Sequence, residues 1–107
     1  MLGETGDFYA AMDEKDLKDG SMKAVSVEGT KILLIRQGGQ IYAVDNRCPH
    51  QGCAFSGGKL DGGFIVCPCH DWRFNLESGE YEQEPSFVLK RYEWTIKDGK
   101  IWVKLDD

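Results

Sequence analysis

Long apolar runs, basic excess and histidine are all scarce in this sequence. The longest aliphatic run is Ile32-Leu33-Leu34-Ile35, far short of the roughly 20 residues a membrane helix needs, so no membrane anchor is expected. Thirteen Lys and Arg face 18 Asp and Glu, a net charge of −5. That balance argues against nucleic acid as a partner, because phosphate binding requires a basic face. It suits docking onto a basic patch of another protein. No repeat, low-complexity tract or linker interrupts the chain, so 1–107 reads as a single domain. The first seven residues carry neither a basic region nor an apolar stretch, and a cytoplasmic location is the expectation.

With 41% hydrophobic and 29% charged residues in 107, the composition is that of a folded domain with one modest core. The patterning is mostly that of strands. An apolar-rich opening covers 8–12, and a polar stretch ending in glycine covers 13–20, where a helical turn or loop is expected. Partial alternation over 22–27 and a β-branched run over 30–37 follow. Gly38-Gly39 then marks a hairpin turn into 40–45. Strands are also expected over 89–97 and 100–105, joined by Asp98-Gly99, a strong hairpin signal. Between these flanks, 46–78 is glycine-punctuated, with short strands plausible only at 64–66 and 72–75. The expected architecture is all-β: an antiparallel base carrying a metal-bearing insertion.

The metal expectation comes from the cysteines and histidines. All four cysteines lie between positions 48 and 69, and the chain's two histidines lie at 50 and 70. Cysteine and histidine confined to one segment indicate a metal site. They form two half-sites, Cys48-Pro49-His50 and Cys67-Pro68-Cys69-His70, with 16 residues between His50 and Cys67. Ligands two residues apart chelate one ion only with strain, but reach two adjacent metals comfortably. Two loops, each giving one Cys and one His, can place both thiolates on one iron and both imidazoles on its neighbour, the ligand set of a Rieske centre. Proline after each half-site's first cysteine stiffens the loop, and nearby glycines let the backbone approach inorganic sulfide.

Other uses of these residues remain open at this level. Zinc accepts a mixed Cys and His tetrahedron, although its half-sites usually space ligands by two to four residues; the chain would then be a zinc-stabilised interaction module. A thiol–disulfide oxidoreductase built on Cys67-Pro68-Cys69 would lack the usual Cys-x-x-Cys spacing and leave both histidines unexplained.

Cys48-Pro49-His50-Gln51-Gly52, followed by Cys67-Pro68-Cys69-His70-Asp71-Trp72-Arg73-Phe74, resembles the Rieske signature. The continuation through Asn75 and Ser78-Gly79-Glu80 is similar to the Rieske ferredoxins of oxygenase systems. So are the flanks Gln40-Ile41-Tyr42-Ala43-Val44 and Asp98-Gly99-Lys100-Ile101-Trp102-Val103. The resemblance covers about Phe8 to Leu105. It implies a 2Fe–2S cluster, with Cys48 and Cys67 on the inner iron and His50 and His70 on the outer one. It implies a three-sheet antiparallel fold of sandwich or barrel type. The base would be 1–45 and 84–107, with a cluster-binding subdomain of loops and short strands at 46–83.

Three positions depart from the oxygenase-type pattern. Cys53 and Cys69 occur in respiratory Rieske proteins, where the pair forms a disulfide between the cluster loops, and the resemblance implies the same here. Respiratory members also place Ser and Tyr after the last ligand as donors to cluster sulfurs; Trp72 and Phe74 stand at those positions here. Phe has no donor, so the potential is expected nearer ~−150 than ~+300 mV. Asp71 stands where glycine is usual; if that position needs positive φ, Asp tolerates it better than most residues.

Replacing two thiolates by two neutral imidazoles removes negative charge and raises the potential relative to an all-cysteine cluster. No histidine is left for acid–base work, so a carrier is expected rather than an enzyme. By the resemblance it would pass single electrons from a flavin-dependent NAD(P)H reductase to a terminal oxygenase or similar acceptor, docking near His50 and His70. The alternative within the same fold is a small subunit of a larger reductase, such as a nitrite reductase.

Overall fold

The run Ile32-Leu33-Leu34-Ile35 becomes the middle of the protein, because all four side chains are fully buried. Successive residues of a strand point to opposite faces, so four consecutive buried positions require cover on both sides. The computed structural model, which describes residues 8–47, 54–69, 71–84 and 86–105, supplies that cover with three antiparallel three-stranded sheets.

The middle sheet is a meander of β2 (Ser21–Val27), β3 (Thr30–Gln37) and β4 (Gln40–Asp45). Both turns are two residues long, pairing Val27 with Thr30 and Gln37 with Gln40. Their central residues, Glu28-Gly29 and Gly38-Gly39, all have positive φ, the geometry that matches strand twist in tight hairpins. One face of this sheet carries Leu34, Ile41 and Ala43 against Ile101 and Val103. Those two belong to an outer sheet ordered β1 (Phe8–Asp13), β9 (Lys100–Lys104), β8 (Trp94–Lys97). The opposite face carries Leu33, Ile35 and Val44 against Phe55, Ile65, Cys67, Phe74, Leu76 and Leu89. The third sheet, β5 (Lys59–Asp61), β6 (Phe64–Val66) and β7 (Arg73–Asn75), therefore sits on that side.

The strand expected over 89–97 forms only at Trp94–Lys97. Residues 89–93 cross between layers, and their backbone contacts go to different elements in turn. The N–H of Leu89 donates to Gly79, Lys90 accepts from Asp45, and the N–H of Tyr92 donates to Ala43. Leu89 is buried in one apolar layer and Tyr92 in the other, so the segment pins the third sheet to the base. The polar stretch after β1 holds a short 3-10 turn at Glu14–Asp16.

Candidate metal centre

Cys67 follows β6 directly and is 1% exposed, its thiol free of any disulfide. Its backbone closes a tight loop: the N–H donates to the Trp72 carbonyl at 2.8 Å, and the carbonyl accepts from the Asp71 N–H at 3.0 Å. Asp71 has φ of 58°, the left-handed conformation that glycine adopts freely and Asp adopts at a cost. The departure from glycine at 71 thus falls where the backbone does take positive φ. The Asp71 side chain is exposed.

Cys69 is exposed and disulfide-bonded. The remaining expected site residues, Cys48, His50, Cys53 and His70, lie outside the described residues. The elements on either side of them are well defined. The first half-site follows β4, where Asp45 donates its N–H to Lys90 and the buried Asn46 donates its N–H to Lys31 at 3.1 Å. It gives way to a 3-10 turn at Phe55–Gly57, and the second half-site lies between β6 and β7.

The structure brings together the described residues that flank these two half-sites. A Cβ built on Gly58 would lie 1.9 Å from the Val66 carbonyl oxygen and 3.2 Å from the Pro68 ring. Only glycine permits that approach. Phe55 and Phe74, both fully buried, meet edge to face at 5.5 Å, locking the residues after each half-site to one another. A recess of about 290 Å³ is walled by Gly57, Gly58 and Lys59 on one side and by Val66, Cys67, Pro68 and Asp71 on the other. The Cys67 thiol beside this recess is buried and outside any disulfide, a donor of the type an iron of such a cluster would take.

Charge around the junction is organised by Arg73. Its guanidinium donates to Asp61 across the third sheet, lies 3.3 Å from a Glu82 carboxylate oxygen and stacks 4.7 Å over the Phe64 ring. The hydrogen bond from Arg73 holds the Asp61 carboxyl below the usual carboxylate range, and the same bond raises Arg73. On the β4 side, burial raises Asp45, against the opposing pull of Arg47 and Lys90. Burial, then Glu77, raises Tyr42.

Trp72 and Tyr81 stack face to face, with centroids 3.8 Å apart and an interplanar angle of 1°. Sequence reading places Trp72 just after the last half-site and does not single out Tyr81. Their pairing depends on a contact between 79–82 and 87–89, where Tyr81 donates its N–H to Phe87 and Leu89 donates to Gly79. The dense aromatic spacing from Trp72 to Phe87 was the available signal.

Comparison with known proteins agrees with this geometry. The family model for the Rieske [2Fe-2S] domain matches residues 7–93, and the chain belongs to that family. Its cofactor is accordingly a 2Fe–2S cluster, in place of the zinc alternative. Over 91 residues the chain is 34% identical to the ferredoxin component of the naphthalene 1,2-dioxygenase system of Pseudomonas putida, covering 84% of this chain and 88% of that protein. It is 33% identical to apoptosis-inducing factor 3 of Homo sapiens over 84% of its own length, but spans only 15% of that protein. Among solved structures, a complex of reduced oxygenase and oxidised ferredoxin in carbazole 1,9a-dioxygenase contains a chain 30% identical to this one. The TM-score is 0.81, covering 91% of this chain and 92% of that one.

Proposed function

We propose that this chain is a one-electron carrier that passes electrons from a flavin-dependent NAD(P)H reductase to a terminal oxygenase, in the cytoplasm. The buried Cys67, free of any disulfide and held in the tight loop after β6, carries the reading. Cys48 and Cys67 hold the inner iron, and His50 and His70 the outer one. The bound cluster supplies the one-electron couple. Cys53 pairs with Cys69, a reading supported by the disulfide state of Cys69 and the free state of Cys67. The base is 1–45 and 84–107, and 46–83 is the cluster-binding part.

The protein's own contribution is rigidity and exclusion of water. Phe55, Phe74 and Leu76, all fully buried, back the Cys67 loop with apolar surface, while backbone hydrogen bonds fix the loop at both ends. A site held this way needs little rearrangement when its charge changes, which favours electron transfer over catalysis. The outer histidines mark the face nearest a partner.

Reconstitution tests this reading. NADH, a flavoprotein reductase of an oxygenase system and the purified chain are combined with its oxygenase, and substrate turnover is followed. Turnover that depends on the chain and is abolished in His70→Cys or Cys67→Ser supports the carrier. A chain that is reduced but never passes its electron to any oxygenase would favour the second reading, a redox module of a larger protein. The match to a small part of apoptosis-inducing factor 3 is what keeps that reading in view.

A further inference from the structure

We propose that the aromatic face formed by Trp72, Tyr81 and Phe87, set in the most acidic stretch of the chain, is the surface on which the electron acceptor docks through a basic-rimmed apolar patch. This rests on the carrier reading and specifies its partner surface.

Four observations carry it. Phe87 is 42% exposed and Val88 51%, two adjacent large apolar side chains open to solvent, whereas Phe8 and Ile96 are exposed singly. Phe87 stands edge-on to Trp72 at 5.5 Å and to Tyr81 at 6.5 Å, so the exposed ring is fixed by the stacked pair beneath it. Rigid aromatics of this kind lose little freedom on binding and form the centres of protein interfaces. The platform also adjoins the Cys67 loop, since the Trp72 carbonyl accepts the Cys67 N–H.

Charge then selects the occupant. Residues 71–88 contain Asp71, Glu77, Glu80, Glu82 and Glu84 against the single cation Arg73, a net of −4 out of −5 for the whole chain. Glu80, Glu82 and Glu84 are exposed and lie next to Tyr81 and Phe87 along the chain, and Arg73 is already engaged by Asp61 and Glu82. Such a face attracts a partner bearing Lys and Arg around an apolar centre, and the attraction acts mainly on the association rate. A second copy of this chain would present the same −4 face, and like charges would oppose it.

Cytochrome c, an electron acceptor of basic surface, serves as the probe. The purified holoprotein is reduced with dithionite, freed of excess reductant and mixed with oxidised cytochrome c by stopped flow at low and high salt. Glu80→Gln/Glu84→Gln is expected to slow reduction about 5–10-fold at low salt and to converge on wild type at high salt. Phe87→Ala is expected to slow it several-fold at both. Asp16→Asn/Asp98→Asn removes the same charge from exposed positions of the base and is expected to stay within about twofold of wild type. Cluster absorbance and midpoint potential, unchanged in every variant, separate docking from damage to the centre. Equal slowing by patch and control pairs, or slowing by neither, overturns the docking surface while leaving the carrier standing. Gel filtration showing a dimer lost in Phe87→Ala would overturn it in favour of self-association. Wild-type protein with no reducible absorbance would overturn the carrier itself.

Discussion

Gly58→Ala tests most sharply how the two half-sites are joined. The added Cβ would sit 1.9 Å from the Val66 carbonyl oxygen and 3.1 Å from its carbon. Ordinary contact begins near 3.4 Å, so one backbone must yield by about 1.5 Å against the Val66 oxygen. The obstacle is main chain and no rotamer change can relieve it. Val66 is paired with Lys59 across β5 and β6 and directly precedes Cys67. Movement therefore either breaks the strand pairing or displaces Cys67. Overpacking typically costs 1–3 kcal/mol, and a backbone obstacle places this case at about 3 kcal/mol or more. For a domain of this size that lowers Tm by roughly 12–24 °C. Thermal unfolding followed by circular dichroism, with cluster absorbance recorded in the same scan, measures both effects. Gly63→Ala is the control, because its added Cβ meets nothing within 4 Å, and it should stay within about 0.5 kcal/mol of wild type. A Gly58→Ala protein melting within a few degrees of wild type with full cluster content would refute the reasoning.

Three further outcomes follow from the same structure. Phe74→Ala empties a fully buried site between Phe55 and the Cys67 layer and should cost about 3–5 kcal/mol, read by denaturant titration; a loss below about 1 kcal/mol would mean the aromatic pair does not support the loops. Burial raises Asp45, so the folded protein holds that proton more tightly than the unfolded chain does. Its contribution is fully present below the usual carboxylate range and is lost as pH rises through the raised value. Asp45→Asn should therefore gain stability relative to wild type on going from pH near 4 to neutrality, and a Tm difference independent of pH would contradict this. Phe74 offers no donor and faces the core, so voltammetry should give a potential nearer ~−150 than ~+300 mV, and a value in the upper half of that span would show that other donors reach the cluster.

The base sheets are largely legible in the sequence because their determinants are local. Gly38-Gly39 and Asp98-Gly99 set two-residue turns, and the residues on either side pair outward from them in register. The run at 32–35 signals a strand, while burial on both faces depends on which sheets cover it. Lys59-Leu60-Asp61 carries no strand signal of its own and becomes β5 only by pairing with Phe64–Val66. Residues 89–93 have strand-like composition but cross from one apolar layer to the other, which no local pattern encodes. At the site, spacing and residue type identify the half-sites, and Asp71 could be suspected of positive φ. Gly58 could not be singled out among the chain's 13 glycines, because its necessity lies in a carbonyl eight residues ahead. The same is true of the Trp72–Tyr81 stack, which exists only once 79–82 meets 87–89.

The central claim is a 2Fe–2S cluster held by Cys48, His50, Cys67 and His70. Absorption and low-temperature EPR spectra of the purified protein, before and after dithionite, test it most directly. A brown protein is predicted, whose reduced form has an average g clearly below that of all-cysteine clusters and which loses that signature in His50→Cys or His70→Cys. A colourless protein carrying one zinc per chain and refusing iron on reconstitution would contradict it, as would an average g equal to that of all-cysteine clusters.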